Sequence, residues 1–241
     1  MQLWFCPILA FLLGSIPFGL FIAKAKGIDI RQHGSGNIGA TNVLRVIGKK
    51  YGITCLFLDA LKGFIPVLIA QNLLIIEGRD PQITVAGLES FALIFPVSDQ
   101  LKIQLIHVAT ALLAVLGHNY SPWIGFRGGK GIATSAGVLI ALMPAAVLIL
   151  VLVFVSVFLI SRYVSVASIC AAISLPIITH LGARFHGRWE DGTWNKPLFF
   201  FSLTIGILAV WKHRANITRL LAGTESRFEW GKKNKSTHTN S

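Results

Sequence analysis

Long apolar blocks, nearly free of charge, recur along these 241 residues and restrict what the chain can become more than any other feature. They cover residues 3–23, 53–76, 103–118, 132–160, 164–182 and 197–212. A bilayer's hydrocarbon core is about 30 Å thick, and a helix needs about 20 apolar residues to cross it. In lipid every backbone N–H and C=O must be satisfied within the segment, so such runs form helices. Only 13% of the residues are charged, against about 25% in soluble domains. The reading is an all-α polytopic membrane protein.

The formal charge of +12 is then no argument for nucleic acid. Basic residues collect in the cytoplasmic loops of membrane proteins, and the same charge attracts phosphorylated substrates. Two segments leave the span count open. Residues 132–160 read as one long helix or as a hairpin turning near Pro144, and residues 84–98 either cross or lie on the surface. Charge decides. A hairpin with no crossing at 84–98 gathers Lys24, Lys26, Arg31, Arg45, Lys49, Lys50, Lys62, Arg127, Lys130, Arg162 and seven tail cations on one face. The other face keeps Arg79, Lys102, Arg184, Arg188 and Lys196, a split of 17 against 5. The expectation is seven transmembrane helices, amino terminus outside and carboxyl terminus cytoplasmic. The arm from residue 132 to the proline is too short to cross alone at 1.5 Å per residue, so it tilts or thins the bilayer. Residues 1–228 are read as one domain and 229–241 as a basic, polar, disordered tail. The first apolar run has no basic segment ahead of it, unlike a cleaved signal peptide. Gly14, Ser15 and Gly19 give that run a small-residue side suited to close helix packing. Cys6, Cys55 and Cys170 fall in apolar runs without metal spacing, so neither a disulfide framework nor a bound metal is expected, and no cofactor is implied.

Three polar segments carry the chemistry. Residues 117–131 hold five glycines, with Arg127 and Lys130 against Gly128, Gly129 and Gly131. Glycine lets backbone amides approach an anion, and the two cations add charge-assisted hydrogen bonds to phosphate. The segment is not a Walker A loop, which would need Gly at position 124 and Ser or Thr at 131, where Ile124 and Gly131 stand. A second glycine turn, Gly34-Ser35-Gly36-Asn37-Ile38-Gly39, leads into Thr41, Asn42 and Arg45. No βαβ setting surrounds it, so a dinucleotide fold is not expected; a glycine turn ahead of a helix N-terminus still reads as a second anion site. The third segment is the end of the last span, where His213 and Asn216 share a helical face. His213 would orient or deprotonate a hydroxyl and Asn216 would hold it. Asp59 and Lys62, three apart at the start of the second span, read as a structural ion pair. His186 and Asp191 fit the H-x-x-x-x-D spacing of a different acyltransferase family that uses acyl-CoA or acyl carriers, but the topology puts them on the outer face.

Together these segments make the chain resemble the bacterial acyl-phosphate:glycerol-3-phosphate acyltransferases, the PlsY type. The resemblance runs in order through Gly14-Ser15-Ile16-Pro17-Phe18-Gly19, the 34–42 turn, Leu58-Asp59-Ala60-Leu61-Lys62-Gly63, Gly117-His118, Phe126–Gly131, Arg162-Tyr163-Val164-Ser165 and 213–225. Residues 78–102 stand as an insertion relative to shorter members, and the tail beyond Phe228 as an extension. The resemblance implies acyl transfer from acyl phosphate to the 1-hydroxyl of glycerol 3-phosphate, at the cytoplasmic face of a bacterial inner membrane. It implies roles for Ser35, Thr41, Asn42, Arg45, Lys130, Ser168, His213 and Asn216, and a structural one for Glu225. The expected catalytic set is Ser35, Arg45, Lys130, His213 and Asn216. Substrate contacts are expected from Gly36, Asn37, Thr41, Asn42, Arg127, Gly128, Gly129, Gly131 and Ser168. The competing class is a transporter for a phosphorylated metabolite, which would show internal repeats and mid-membrane charges; here the charges cluster on one face.

Overall fold

A computed structural model describes residues 2–189 and 193–228. The expected tail at 229–241 lies outside the described residues, as does Asp191 of the His186 motif. The chain is mostly helical. In order come α1 (Phe5–Gly14), α2 (Phe18–Lys24), α3 (Ala40–Val46), α4 (Lys49–Leu73), α5 (Gln100–Asn119), α6 (Ile132–Leu142), α7 (Pro144–Ser161), α8 (Val164–Phe185), α9 (Lys196–Lys212) and α10 (Arg214–Leu221). Among the described residues, five segments are long and apolar enough to cross a membrane, counting α1 and α2 together. Six are if α9 and α10, bent by 51°, are taken as one. The apolar α6 is shorter, 11 residues or about 16 Å at 1.5 Å per residue.

The helices depart from the sequence expectation for local reasons. The first apolar run is broken at Ser15-Ile16-Pro17, because Pro17 has no N–H to continue the helix. The second begins at Lys49, four residues earlier than expected, and gives way after Leu73 to an extended segment. The chain is also not purely α. Leu74–Ile76 (β1) pairs in parallel with Leu93–Phe95 (β2). The intervening loop is tied back by Asn72, whose Nδ2 donates to the Ile83 carbonyl at 2.9 Å and whose Oδ1 accepts from Val85 N–H at 2.9 Å. Residues 84–98 thus form turns and a short strand, with no helix to cross on. The apolar run at 132–160 divides as Pro144 suggested, with Met143 in a non-helical conformation between α6 and α7.

The core sits where α1, α4, α5 and α6 meet, around Ala10, Val67, Ala111, Ala114, Val115 and Val138. Small residues let backbones touch. A Cβ on Gly14 would fall on the Ala114 carbonyl, one on Gly63 on the Thr134 carbonyl, and one on Gly137 on the Ala60 carbonyl. Such close approach is how helices associate in lipid, where no hydrophobic drive separates them from acyl chains. By contrast α7 buries only Leu150, and a helix apolar all round with little buried faces lipid. The tightly held α4–α6 pair carries the glycine segment at one end, so helix packing sets the position of the site.

Candidate active site

The 29–39 loop is organised around one side chain. Asn42, on α3, is 2% exposed, yet both ends of its side-chain amide are hydrogen-bonded. Its Nδ2 donates to the carbonyls of Ile30, His33 and Asn37 at 3.3, 3.0 and 2.8 Å, and its Oδ1 accepts from Ser35 N–H at 2.9 Å. Gly34 (φ 60°) and Gly36 (φ 68°) supply the left-handed backbone the turn needs. Asn37 caps the turn, its Oδ1 accepting from Gly39 N–H at 2.8 Å. Asn42 therefore shapes the loop that presents Ser35, and Thr41 and Arg45 follow on α3. Asn42→Ala would leave three carbonyls and one N–H to find new partners, at about 1–3 kcal/mol for each buried group left unsatisfied. Limited proteolysis within 31–39 is expected to accelerate at least tenfold, with the helical core unchanged by circular dichroism.

The central segment is pinned from two sides. Trp123 Nε1 donates to Ser15 Oγ at 2.7 Å, and Ser121 Oγ donates to the Ser15 carbonyl at 2.6 Å. Both bonds seat the segment on the break in the first span. From the other side Lys212 Nζ donates to the Asn119 carbonyl at 3.0 Å. The chain then folds back on α5: Gly128 N–H donates to the Asn119 carbonyl and Gly129 N–H to the His118 carbonyl, both at 3.2 Å. This corrects the expectation of a cradle built from the amides of all the glycines. Gly128 and Gly129 have their N–H groups engaged and sit behind the site, and Arg127 is exposed outside the cavity. Gly131 (φ 81°) turns the chain into α6, whose first-turn N–H groups have no acceptor within the helix. The candidate anion site is thus the α6 N-terminus with Lys130 beside it.

The third segment closes the site. His213 lies at the bend between α9 and α10, 2% exposed. Its Nδ1 is 2.7 Å from the Ala209 carbonyl; a carbonyl only accepts, so Nδ1 carries the proton and Nε2 is an acceptor. Lys130 Nζ donates to Asn216 Oδ1 at 2.5 Å, and Asn216 Nδ2 donates to Glu225 Oε1 at 2.6 Å. Glu225 also accepts from Ser165 Oγ (2.8 Å) and Arg219 Nε (2.7 Å). Burial raises the Glu225 pKa, but hydrogen bonds from Asn216, Arg219 and Ser165 outweigh it and leave the carboxyl below its ordinary range. Burial is also the main influence on Lys130 and pushes its ammonium down to about 8. Ser165 was not singled out from sequence as a site residue; its spacing of three from Ser168 on one helix face was the available signal.

These residues surround one cavity of about 370 Å³. Its polar lining includes Ser35, Asn37, Thr41, Asn42, Arg45, Asp59, His118, Lys130, Ser168, His213, Asn216 and Glu225, with the backbone of Gly131. Leu44, Ile53, Leu56, Phe154 and Phe228 are among its apolar lining residues. Gly36 stands outside the lining, its part being the turn. His186 ends α8, 18 residues or about 27 Å of helix from Ser168, far from this chemistry.

Residues 4–223 match the family model described as glycerol-3-phosphate acyltransferase. The chain belongs to that family. A relative from Aquifex aeolicus, named glycerol-3-phosphate acyltransferase, is 43% identical across 95% of this chain and 100% of its own length. One of the same name from Geotalea daltonii is 44% identical across 91% and 94%. The fold matches crystal structures of PlsY, an integral membrane glycerol 3-phosphate acyltransferase, in its glycerol 3-phosphate form (TM-score 0.75) and its lysophosphatidic acid form (TM-score 0.73). Both are 42% identical and cover 95% of this chain and 96% of theirs. This acyltransferase is thus an integral membrane enzyme, as the apolar runs and glycine segments together implied.

Proposed function

We propose that the enzyme moves a fatty acyl group from acyl phosphate to the 1-hydroxyl of glycerol 3-phosphate, giving 1-acyl-glycerol 3-phosphate and phosphate. The observation that carries this reading is one cavity lined both by the cations Lys130 and Arg45 and by the apolar Leu44, Ile53, Leu56, Phe154 and Phe228, which suits two phosphate-bearing substrates of which one trails a chain. Lys130, the first-turn amides of α6, Ser35 and Thr41 hold the acyl-phosphate group. Arg45 holds the glycerol phosphate. His213 Nε2 accepts the hydrogen bond of the attacking hydroxyl and Asn216 fixes its direction. The hydroxyl oxygen forms a bond to the acyl carbon as the carbon–oxygen bond to phosphate breaks. The departing phosphate takes that electron pair, and the balance places the hydroxyl proton on it. Positioning and charge stabilisation suffice for such a leaving group, and no enzyme-bound acyl intermediate is needed.

The arrangement in the membrane belongs to the same proposal. Residues 1–228 act as one domain with seven crossings, the bilayer thinning where the short α6 crosses. The amino terminus is outside, and the site and carboxyl terminus face the cytoplasm of a bacterial inner membrane. The 17-to-5 distribution of basic residues supports that orientation. The donor is tested with detergent-solubilised enzyme, labelled glycerol 3-phosphate, and either palmitoyl phosphate or palmitoyl-CoA. Lysophosphatidic acid is expected from palmitoyl phosphate alone; product from palmitoyl-CoA alone overturns the donor assignment.

A further inference from the structure

Two residues of the cavity lining, Asp59 and His118, belong to a polar cluster that the reaction as described does not use. Asp59 and Lys62 form an ion pair at 2.9 Å, each side chain 3% exposed. Lys62 Nζ also donates to the Ile16 carbonyl at 2.7 Å, in the break of the first span. Cys55 Sγ lies 3.6 Å from Asp59 Oδ2. On the other side Asp59 Oδ1 is 3.6 Å from His118 Nδ1. His118 is 4% exposed, and its other ring nitrogen faces Gly129 so closely that a Cβ there would overlap Nε2. The His118 carbonyl accepts from Gly129 N–H. Asp59 Oδ1, His118 Nδ1, both amide atoms of Asn119 and Thr134 Oγ1 are buried without a directed hydrogen bond. His118 and Asn119 lie directly against Gly128, Gly129 and Gly131.

A cluster kept only for stability would be poorly built in this way. Removing a buried ion pair in favour of apolar residues is often neutral or stabilising, and buried polar atoms without partners oppose folding. What the cluster does accomplish is geometric. The break in the first span fixes Lys62, Lys62 fixes Asp59, and the Asp59 charge orients the His118 ring. That ring's edge and carbonyl are the floor on which Gly129 rests, one residue before Lys130. We propose that Asp59 and His118 are positioning residues for acyl transfer, holding Gly129 against the ring so that Lys130 and the α6 N-terminus keep their place. This rests on the assignment of Lys130 to the reacting phosphate. Displacing a reacting group by about 1 Å costs on the order of 10²-fold in rate, so a small shift of this floor is enough to matter.

The test compares Asp59→Asn, His118→Gln, the double variant and Lys130→Ala, in detergent-purified enzyme with palmitoyl phosphate and glycerol 3-phosphate. Thermal midpoints are recorded beside kcat and KM. Each single variant is expected to lower kcat/KM for palmitoyl phosphate by roughly ten- to a hundredfold in protein that remains folded. The double variant should be no worse than the more damaged single one, since both act through one path. A purely structural role would lower the thermal midpoint and leave kcat per folded molecule unchanged, which overturns the proposal. So would independent, multiplying losses in the double variant. If Asp59→Asn does not fold, His118→Gln decides alone, because it leaves the Asp59–Lys62 pair intact: unchanged kcat/KM overturns the proposal and the expected loss supports it. The parallel Lys130→Ala enzyme separates the two failures. If it keeps near-normal turnover, the site assignment has failed and the positioning proposal with it. If it is inactive while the Asp59 and His118 variants match the wild type, only the positioning proposal has failed.

Discussion

Lys130→Ala is expected to lower the rate of lysophosphatidic acid formation by at least about 10²–10³-fold, the usual cost of removing one preorganised group that meets developing charge. The protein should still fold. Lys130 sits in the turn before α6, and its loss leaves Asn216 still bonded to Glu225 through Nδ2. A thermal midpoint within a few degrees of wild type, measured with the rate, separates lost chemistry from lost structure. The same residue fixes a pH limb. Burial brings the Lys130 ammonium to about 8. The protonated form, the one that binds phosphate, therefore predominates below that value and is lost above it. kcat/KM for acyl phosphate, which reports the free enzyme, is expected to fall as pH rises through about 8. In Lys130→Arg the limb should move beyond the measurable range, since a guanidinium keeps its proton. The absolute rate should also drop, because a planar fork does not replace a point charge. An alkaline limb that stays in place in Lys130→Arg would assign it to another group.

What the sequence discloses of this enzyme follows from the length over which each signal acts. Apolar runs of sixteen residues or more identify helices because the bilayer imposes the same demand on every turn of them. The Met143-Pro144 break was legible for a similar reason: proline acts locally and without regard to context. Ile16-Pro17 carries the same information, yet the unbroken hydropathy on either side hid it. Its consequence is long-range, since the freed Ile16 carbonyl takes Lys62 from α4 and the Ser15 backbone takes Ser121 from the central segment. The strand pair β1–β2 was not legible, because three residues carry too little periodicity to separate strand from helix.

Within the site, residue types were easier to read than their duties. Lys130, His213, Asn216, Thr41 and Ser35 do converge on one cavity, although 178 residues separate Ser35 from His213. The amides of Gly128 and Gly129 were read as free because glycine sequence says only that a backbone can approach something. Whether that partner is a phosphate or the end of α5 depends on where α5 stops, at Asn119, and no local pattern states it. Asn42 is similar. An asparagine at the start of a helix reads as a cap or a ligand, while its bonds to Ile30, His33 and Asn37 become visible only when the loop is folded around it.

The second large effect is expected far from any reacting atom, at Gly137. Its missing Cβ lets α6 rest on the Ala60 carbonyl of α4, and Gly63 of α4 returns the contact on the Thr134 carbonyl. These two points lie one helical turn apart, so they set both the spacing and the register of the pair. Gly137→Val would place a branched side chain where a backbone carbonyl already stands. A carbonyl within a helix cannot rotate away, so the helices must part. Overpacking costs about 1–3 kcal/mol and sometimes more, and a lower thermal midpoint is expected in detergent. Activity should fall further than stability does, because α6 carries the proposed anion site at its first turn and Lys130 just before it. A shift of about 1 Å there is worth on the order of 10²-fold in rate. Gly182→Ala is the control: it lies in α8 with open space around its Cβ position, and alanine favours the helix by up to about 1 kcal/mol. That variant is expected to keep full activity with an equal or higher midpoint. If Gly137→Val matched it in both readouts, the α4–α6 contact would not be what positions the site, and its placement would fall to the anchors of the central segment at Ser15 and Lys212 and to the His118 ring under Gly129.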